Sequence, residues 1–470
     1  MKGAVKKNSQ HIIDIQSVTA KGFGVGYVQD FTLFVEGGLP GDKLLVHILK
    51  VKPRYGYGKI LNIVAPSPSR IKSPCPVSDR CGGCQWQNCD YQAQLGFKKQ
   101  IVIDALERIG GIANPPVRDV IGMENPQRYR NKAVFPVVPA DNNDGFAIGM
   151  YAPRSHRIIE VEDCGIQHIA HVKVLAVVKE HMRRHKITAY DETAHKGIMR
   201  HIVIRTSLAT KEVMTILAIN NEAIPGETEL TEKLTEIGVT TAIINRHHSR
   251  GNAVLGDDFR VLYGQGFIRE SLGSEKPIEY QLSAPSFFQV NPVQAAVLYD
   301  TAISQAQLDG TQTVIDAHVG VGGVALYAAR NSKGVIGVDI VPSAISDAKV
   351  NAALNGIENA EFILGAAEEV IPALLQSKAE ETTLALLPVA TAQVVFLDPP
   401  RKGCEPALLD ALIAAKIQRI VYISCDPATL ARDIKRLVSE GYALADAQPV
   451  DMFPMTGKVE TTVLLCRNDT

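Results

Sequence analysis

Apolar and polar positions alternate in short runs over the first 66 residues: IIDIQSV, GVGYVQ, FTLFVEG, KLLVHILKV and YGKILNIV, parted by close-set turns such as LPGD (Leu39–Asp42). Period-two alternation between glycine-bearing turns predicts short strands curled into a small OB-like β-barrel over 9–66. A Pro/Ser-rich linker, APSPSRIKSP, follows. Gln94–Ile109 then shows apolar residues at helical spacing and stops at Gly110-Gly111. NKAVFPVV, FAIGMYA, HIVIRTS, VMTILAI and TAIINRH, with a helix near 168–184, predict an α+β central domain over 67–285. The helix near 94–110 is a candidate to pack on the C-terminal part instead. From 286 the texture changes. QTVIDAH, KGVIGVDI, AEFILG, QVVFLDPP, RIVYISCD and TTVLLCR are continuous apolar strands between helical patterns, as in a Rossmann-like α/β sheet covered on both faces, here over 286–470.

Composition bounds the function. The 470 residues are 46% hydrophobic and 21% charged, which suits several folded domains and excludes wholesale disorder. The most apolar run, Leu384–Leu397, carries Pro388, Thr391 and Gln393 and does not reach the roughly 18 apolar residues of a membrane span. No apolar core follows the basic N-terminus, so no secretory signal is visible and a cytoplasmic location is expected. Charge is asymmetric: 36 basic against 29 acidic residues precede Phe287, and 13 against 21 follow from it. A basic front suits a polyanion. Lys50, Lys52, Arg54, Tyr55, Tyr57 and Lys59 mix cations for phosphates with rings for bases.

Cys75, Cys81 and Cys84 are spaced C-x5-C-x2-C, and Gly82-Gly83 let the backbone bend so that thiolates can face one centre. Cys89 and Cys164 are both candidates for a fourth ligand. Four thiolates suit zinc or an iron–sulfur cluster, and spacing alone does not choose.

VIDAHVGVGG (Val314–Gly323) is a strand running into a glycine turn, with Asp339 closing the next strand about 20 residues on, where an acid takes ribose hydroxyls. That describes a nucleoside-containing cofactor, and the loose G-x-G-x-x-A of Gly320, Gly322 and Ala325 leaves a dinucleotide open. VVFLDPPRKGC (Val394–Cys404) decides against it. Asp398 before two wall-forming prolines is typical of methyltransferases that present a flat base to S-adenosylmethionine.

RIVYISCDPATLARD (Arg419–Asp433) reads as strand, sharp turn and helix, with Cys425 in the turn before a capping Asp426 and Pro427. A helix N-terminus is expected to lower a thiol pKa, which makes Cys425 a candidate nucleophile. Uracil needs one. Its C5 attacks a methyl sulfonium only after a thiolate adds to C6, and a base must then take the C5 proton. Glu460, where DMFPMTGKVETTVLL enters the last strand, is the candidate base.

SFFQVNPVQAAVLYD (Ser286–Asp300), LDPPRKGC, SCDPATLARD and FPMTGKVETTVLL, in this order, resemble the RNA (uracil-5-)-methyltransferases, over about residues 10–466. The resemblance implies that the barrel is a TRAM domain and that the C-terminal domain binds S-adenosylmethionine. Cys425 then matches the nucleophile and Glu460 the proton acceptor. Gln289, His318, Gly320, Asp339 and Asp398 match cofactor contacts, Asp398 alternatively holding the uracil N3–H. Cys75, Cys81, Cys84 and Cys164 match a four-iron–four-sulfur (4Fe-4S) site, with zinc the lesser alternative. TRAM plus cluster points to the 23S rRNA branch; tRNA is the rival substrate, and a catalytically silent RNA-binding protein the rival of another class. Arg128, Arg130, Lys132, Arg154 and Arg157 are candidate phosphate contacts. The chain departs from the family pattern at His318-Val319, where an aromatic residue and Cys are usual, at Gly322-Gly323, and at Lys458, where His is common.

Overall fold

The structure, a computed structural model, describes residues 5–251, 253–273, 276–376 and 392–468. The run Leu384–Leu397 falls largely outside them; its described end, Val394–Leu397, is a fully buried strand. Among the described residues no helix is long and apolar enough to cross a membrane.

The first part is a closed five-stranded barrel. Its strands, Gln10–Val18, Phe23–Val28, Phe31–Glu36, Lys43–Val51 and Tyr55–Ala65, close in the order first, second, third, fifth, fourth. Closure removes the free edges that short strands would otherwise expose. Alternation aims Ile13, Ile15, Leu33, Val35, Leu44, Val46 and Ile48 into one core. The LPGD turn has a second purpose. The buried Asp42 carboxylate accepts from the Leu39 and Ser67 N–H groups at 2.7 and 2.8 Å and from Arg70 Nε at 3.0 Å, so the Pro/Ser linker is fastened to the barrel.

The central sheet has six strands in the order Asp258–Tyr263, Thr241–Arg246, Val213–Ile219, Met199–Thr206, Lys132–Pro139 and Phe146–Ile148. Helices Ala170–Arg184 and Glu227–Glu236 cover one face through Val174, Val178, Leu230 and Leu234. The other face, with Val203, Ile216 and Ile243, shares a core with the C-terminal part. Burial on both faces explains why these strands read as continuous apolar runs. Helix Glu227–Glu236 is faint in the sequence, because ETELTEKLTE offers only two buried leucines.

The C-terminal sheet has seven strands: Thr313–Asp316, Gly334–Asp339, Ala360–Leu364, Val394–Leu397, Arg419–Ser424, Tyr442–Val450 and Glu460–Arg467. Their order in the sheet is third, second, first, fourth, fifth, seventh, sixth. The first five pair in parallel, and Glu460–Arg467 runs antiparallel to its neighbours on both sides. The expected multidomain class, a barrel, an α+β centre and a Rossmann-like methyltransferase domain, is the architecture found. Tyr442–Val450 is an addition: Asp446 and Pro449 and a register shift at Leu444/Asp446 hide an edge strand.

The early helix, Tyr91–Arg108, packs on this last part. Val102, Ala105 and Leu106 join Leu430, Ile434, Leu437 and Tyr442 in one core. Asp90 caps it, its carboxylate accepting from the Gln92 and Ala93 N–H groups.

Candidate active site

Chain order reverses between Thr313–Asp316 and Val394–Leu397, and open α/β sheets bind ligands in the crevice beyond such a switch. A cavity of about 940 Å³ lies there. Gln289, His318, Gly320, Asp339, Asp398, Cys425 and Glu460 all line it, so one space gathers every sequence-derived cofactor and catalytic candidate.

The cofactor side is built by the first two strands. Gly320 and Gly322 take φ of +53° and +95°, a left-handed turn that L side chains rarely adopt. Gly320 N–H donates to Asp339 Oδ2 at 2.9 Å, and Val341 N–H to Oδ1 at 2.9 Å, which fixes the carboxylate at the cavity wall. Burial lowers the His318 imidazole to about 4, so the ring is neutral at pH 7. Its Nδ1 is buried without a hydrogen-bond partner. A neutral planar ring, an orphaned nitrogen and a fixed acid beside a glycine turn fit an adenosine group.

Cys425 lies in the turn between Arg419–Ser424 and helix Pro427–Ser439, with Asp426 as cap and Pro427 in the first turn, as the sequence implied. The thiol pKa is a correction. It is pushed up to about 11, first by burial and then by Glu460 and Asp398 across the cavity. Asp426 adds negative charge while its carboxylate occupies the first free N–H groups of the helix, so the expected dipole effect is overridden. Burial, then Asp398, lifts the Glu460 carboxyl to about 8, opposed by Lys458 and Arg401. Burial lifts Asp398 to about 7. A carboxyl titrating near neutrality is suited to exchange protons with a bound base.

Glu460 follows a loop, residues 451–459, that is clamped from several directions. Lys98 Nζ donates to Asp451 Oδ1 at 2.5 Å and Tyr91 O–H to Oδ2 at 2.8 Å. Asn291 Nδ2 donates to Met452 O at 3.0 Å, and Tyr129 O–H to Pro454 O at 3.0 Å. The Gln85 and Trp86 N–H groups both donate to Met455 O. Sequence reasoning missed Lys98 and Asp451. The available signal was a lysine on the same helical stripe as Ile101, Val102 and Ala105.

The cysteines separate into two groups. Cys75, Cys81, Cys84 and Cys164 feel one another: the Cys84 thiol is pushed up to about 12 by burial, with Cys164, Cys81 and Cys75 adding to it. Cys89 is instead a core residue, packed with Val18, Leu39, Trp86 and Ile101 and donating its S–H to Asp90 O. Among the described residues, no three His, Cys, Asp or Glu side chains are arranged to hold a single metal ion. Gly82 and Gly83 line the catalytic cavity.

The expected phosphate contacts divide as well. Arg130 lines the cavity and Arg157 is exposed. Arg128 is half-exposed, paired bidentately with Asp163 at 2.5 and 2.6 Å and donating to Cys164 O and Gln167 O. Lys132 is largely buried, and burial with nearby Arg205 and Arg130 lowers it to about 7. Arg154 reaches Glu36 of the barrel at 2.6 Å. The structure therefore buries Lys132, while Arg128 stays half-exposed and is already engaged by a half-exposed carboxylate.

A family model described as tRNA (uracil-5-)-methyltransferase matches residues 90–468, and one for the TRAM domain matches 9–61. An uncharacterized RNA methyltransferase of Halalkalibacterium halodurans is 44% identical over 463 residues, covering 98% of each chain. Another, of Clostridium tetani, is 43% identical and covers 98% of this chain and 97% of its own. The crystal structure of Pyrococcus abyssi tRNA (uracil-54, C5)-methyltransferase with S-adenosyl-L-homocysteine matches at a TM-score of 0.74 and 26% identity, over 97% of this chain and 99% of that one.

Proposed function

Because the chain belongs to the RNA uracil-5-methyltransferase family, as an S-adenosylmethionine-dependent enzyme methylating uracil C5 in RNA, we propose that its substrate is 23S rRNA and that Cys425 and Glu460 carry the reaction. The observation that supports these roles is their convergence with Asp398 in one cavity at the sheet's switch point. When bound, S-adenosylmethionine supplies the methyl group from its sulfonium. Gln289, His318, Gly320, Asp339 and Asp398 line the space that would hold it. The target uridine must leave its stack to enter. Cys425 Sγ, on losing its proton, adds to C6, which makes C5 nucleophilic. Once C5 carries the methyl group, Glu460 takes the C5 proton, the C5–C6 double bond re-forms and the sulfur leaves. Asp398, facing the same space, either accepts from the uracil N3–H or contacts the cofactor.

Cys75, Cys81, Cys84 and Cys164 are proposed to hold a 4Fe-4S cluster; zinc, the lesser alternative, is disfavoured because no three of these side chains are arranged around a single ion. Their mutual electrostatic proximity and the exclusion of Cys89 support that set. A cytoplasmic location would keep them reduced. The combination of barrel and cysteine set favours rRNA. The tRNA reading keeps support from the Pyrococcus enzyme, whose match extends across the barrel too. Methylating separate 23S rRNA and tRNA transcripts decides between the two substrates. Loss of the covalent complex with 5-fluorouridine RNA in Cys425→Ala tests the nucleophile; a variant that still methylates RNA overturns it.

A further inference from the structure

The nucleophile turn and the Asp398 loop come from different strands, yet the chemistry needs a fixed distance between them. The loop after Asp398, Pro399–Cys404, is fastened to helix Pro427–Ser439 at three points. Asp433 Oδ2 accepts from Cys404 N–H at 2.9 Å and from Tyr422 O–H at 2.7 Å. Arg432 Nη2 donates to Lys402 O at 2.9 Å while its Nε holds Asp433 Oδ1 at 2.8 Å. Thr429 Oγ1 lies 3.2 Å from both Arg401 O and Asp426 O, which share its one hydroxyl proton.

Asp433 is 3% exposed, unlike its partner Arg432, and a buried carboxylate is retained at a cost unless its acceptors are filled. The backbone is shaped to reach it. Gly403 takes φ of +80°, and a Cβ there would lie 2.5 Å from both Asp433 Oδ2 and Arg432 Nη2. Tyr422 lies within the strand that delivers Cys425. One side chain thus ties together the strand before the nucleophile, the helix after it and the loop that carries Asp398 and Arg401 into the cavity.

We propose that Asp433 is a positioning residue for the covalent step: through Cys404, Tyr422 and Arg432 it sets the placement of Cys425 relative to a uracil held against the Asp398 loop. This rests on Cys425 being the nucleophile. An amide at 433 keeps one acceptor oxygen but turns an N–H2 toward one of its donors, so the staple is strained without a change in volume.

The test measures single-turnover formation of the covalent complex between the full-length enzyme and 5-fluorouridine RNA, with S-adenosylmethionine, in wild type, Asp433→Asn, Tyr422→Phe and Arg432→Met. Asp433→Asn is expected to slow adduct formation at least tenfold, and the other two several-fold. KM for S-adenosylmethionine is expected to stay within about twofold. Arg432 is largely exposed, so Arg432→Met keeps the test readable if Asp433→Asn does not fold. Wild-type adduct rates in the folded variants, or a loss confined to KM, overturn the proposal even if melting temperatures fall. Absence of any adduct in wild type overturns the nucleophile assignment instead.

Discussion

Lys98 Nζ and Asp451 Oδ1 lie 2.5 Å apart with both side chains fully buried, one on the early helix Tyr91–Arg108 and the other at the start of the loop leading to Glu460. The pair joins residues 353 positions apart. Removing the cation would leave a buried carboxylate with only the Tyr91 hydroxyl to answer it. Breaking such a pair costs about 3–5 kcal/mol. Lys98→Met is therefore expected to lower the melting temperature sharply, with Lys98→Met/Asp451→Asn recovering part of the loss; thermal denaturation reads both.

The rate should climb with pH. Cys425 at about 11 is protonated at neutrality, so its reactive form increases tenfold per pH unit. Glu460 at about 8 becomes a competent base over the same span. Turnover is expected to rise steeply from pH 6 to 9, and adduct formation, which needs only the thiolate, to continue rising beyond the point where turnover flattens. A rate constant across pH 6–9 would refute both placements.

Stability should move the other way at Glu460. Its folded pKa is raised above the ordinary carboxylate value, so its contribution is present below about pH 4.5 and lost as pH rises through about 8. Glu460→Gln has no charge to bury. It should be more stable than wild type at pH 8, by about 4 kcal/mol, and equal to it near pH 4.5. Urea unfolding at both pH values measures the difference.

Gly457 meets the barrel closely. A Cβ there would lie 2.8 Å from Gly22 N and 3.0 Å from Ala20 O. Gly457→Ala should push the barrel turn from the catalytic loop, at about 1–3 kcal/mol of stability. Weaker RNA binding with unchanged S-adenosylmethionine binding is the expected pair of titrations.

Arg128 holds Cys164 by its carbonyl while paired to Asp163. Arg128→Met should loosen that turn. On the proposed cluster, metal content after anaerobic purification is expected to fall severalfold, with Cys164 alkylated faster; unchanged values of both would remove Arg128 from any part in the proposed site.

Much of the fold was legible because burial leaves a period in the sequence. Alternation marked the barrel, continuous apolar runs marked the two-faced sheets, and Asp426-Pro427 marked a helix start. Tyr442–Val450 was hidden because an edge strand with a bulge tolerates Asp and Pro. Lys132 reads as a surface cation because charge type does not reveal that a sheet buries it, whereas Arg128 is such a cation, half-exposed and committed to Asp163.

Residue order alone sets the chemical inventory: a thiol in a strand-to-helix turn, a carboxylate entering the last strand, a glycine turn with its acid, and clustered cysteines. These are local patterns, set by residue type and spacing along the backbone. What those groups become depends on how the folded chain packs them together. The fold put Cys425, Glu460 and Asp398 in one desolvated cavity, which raised a thiol that the helix N-terminus alone would have lowered. It also placed Cys89 in an apolar core while Cys164 lies in the electrostatic neighbourhood of Cys84, Cys81 and Cys75. Both outcomes depend on distances between segments far apart in the chain, where Coulomb and desolvation energies act through space.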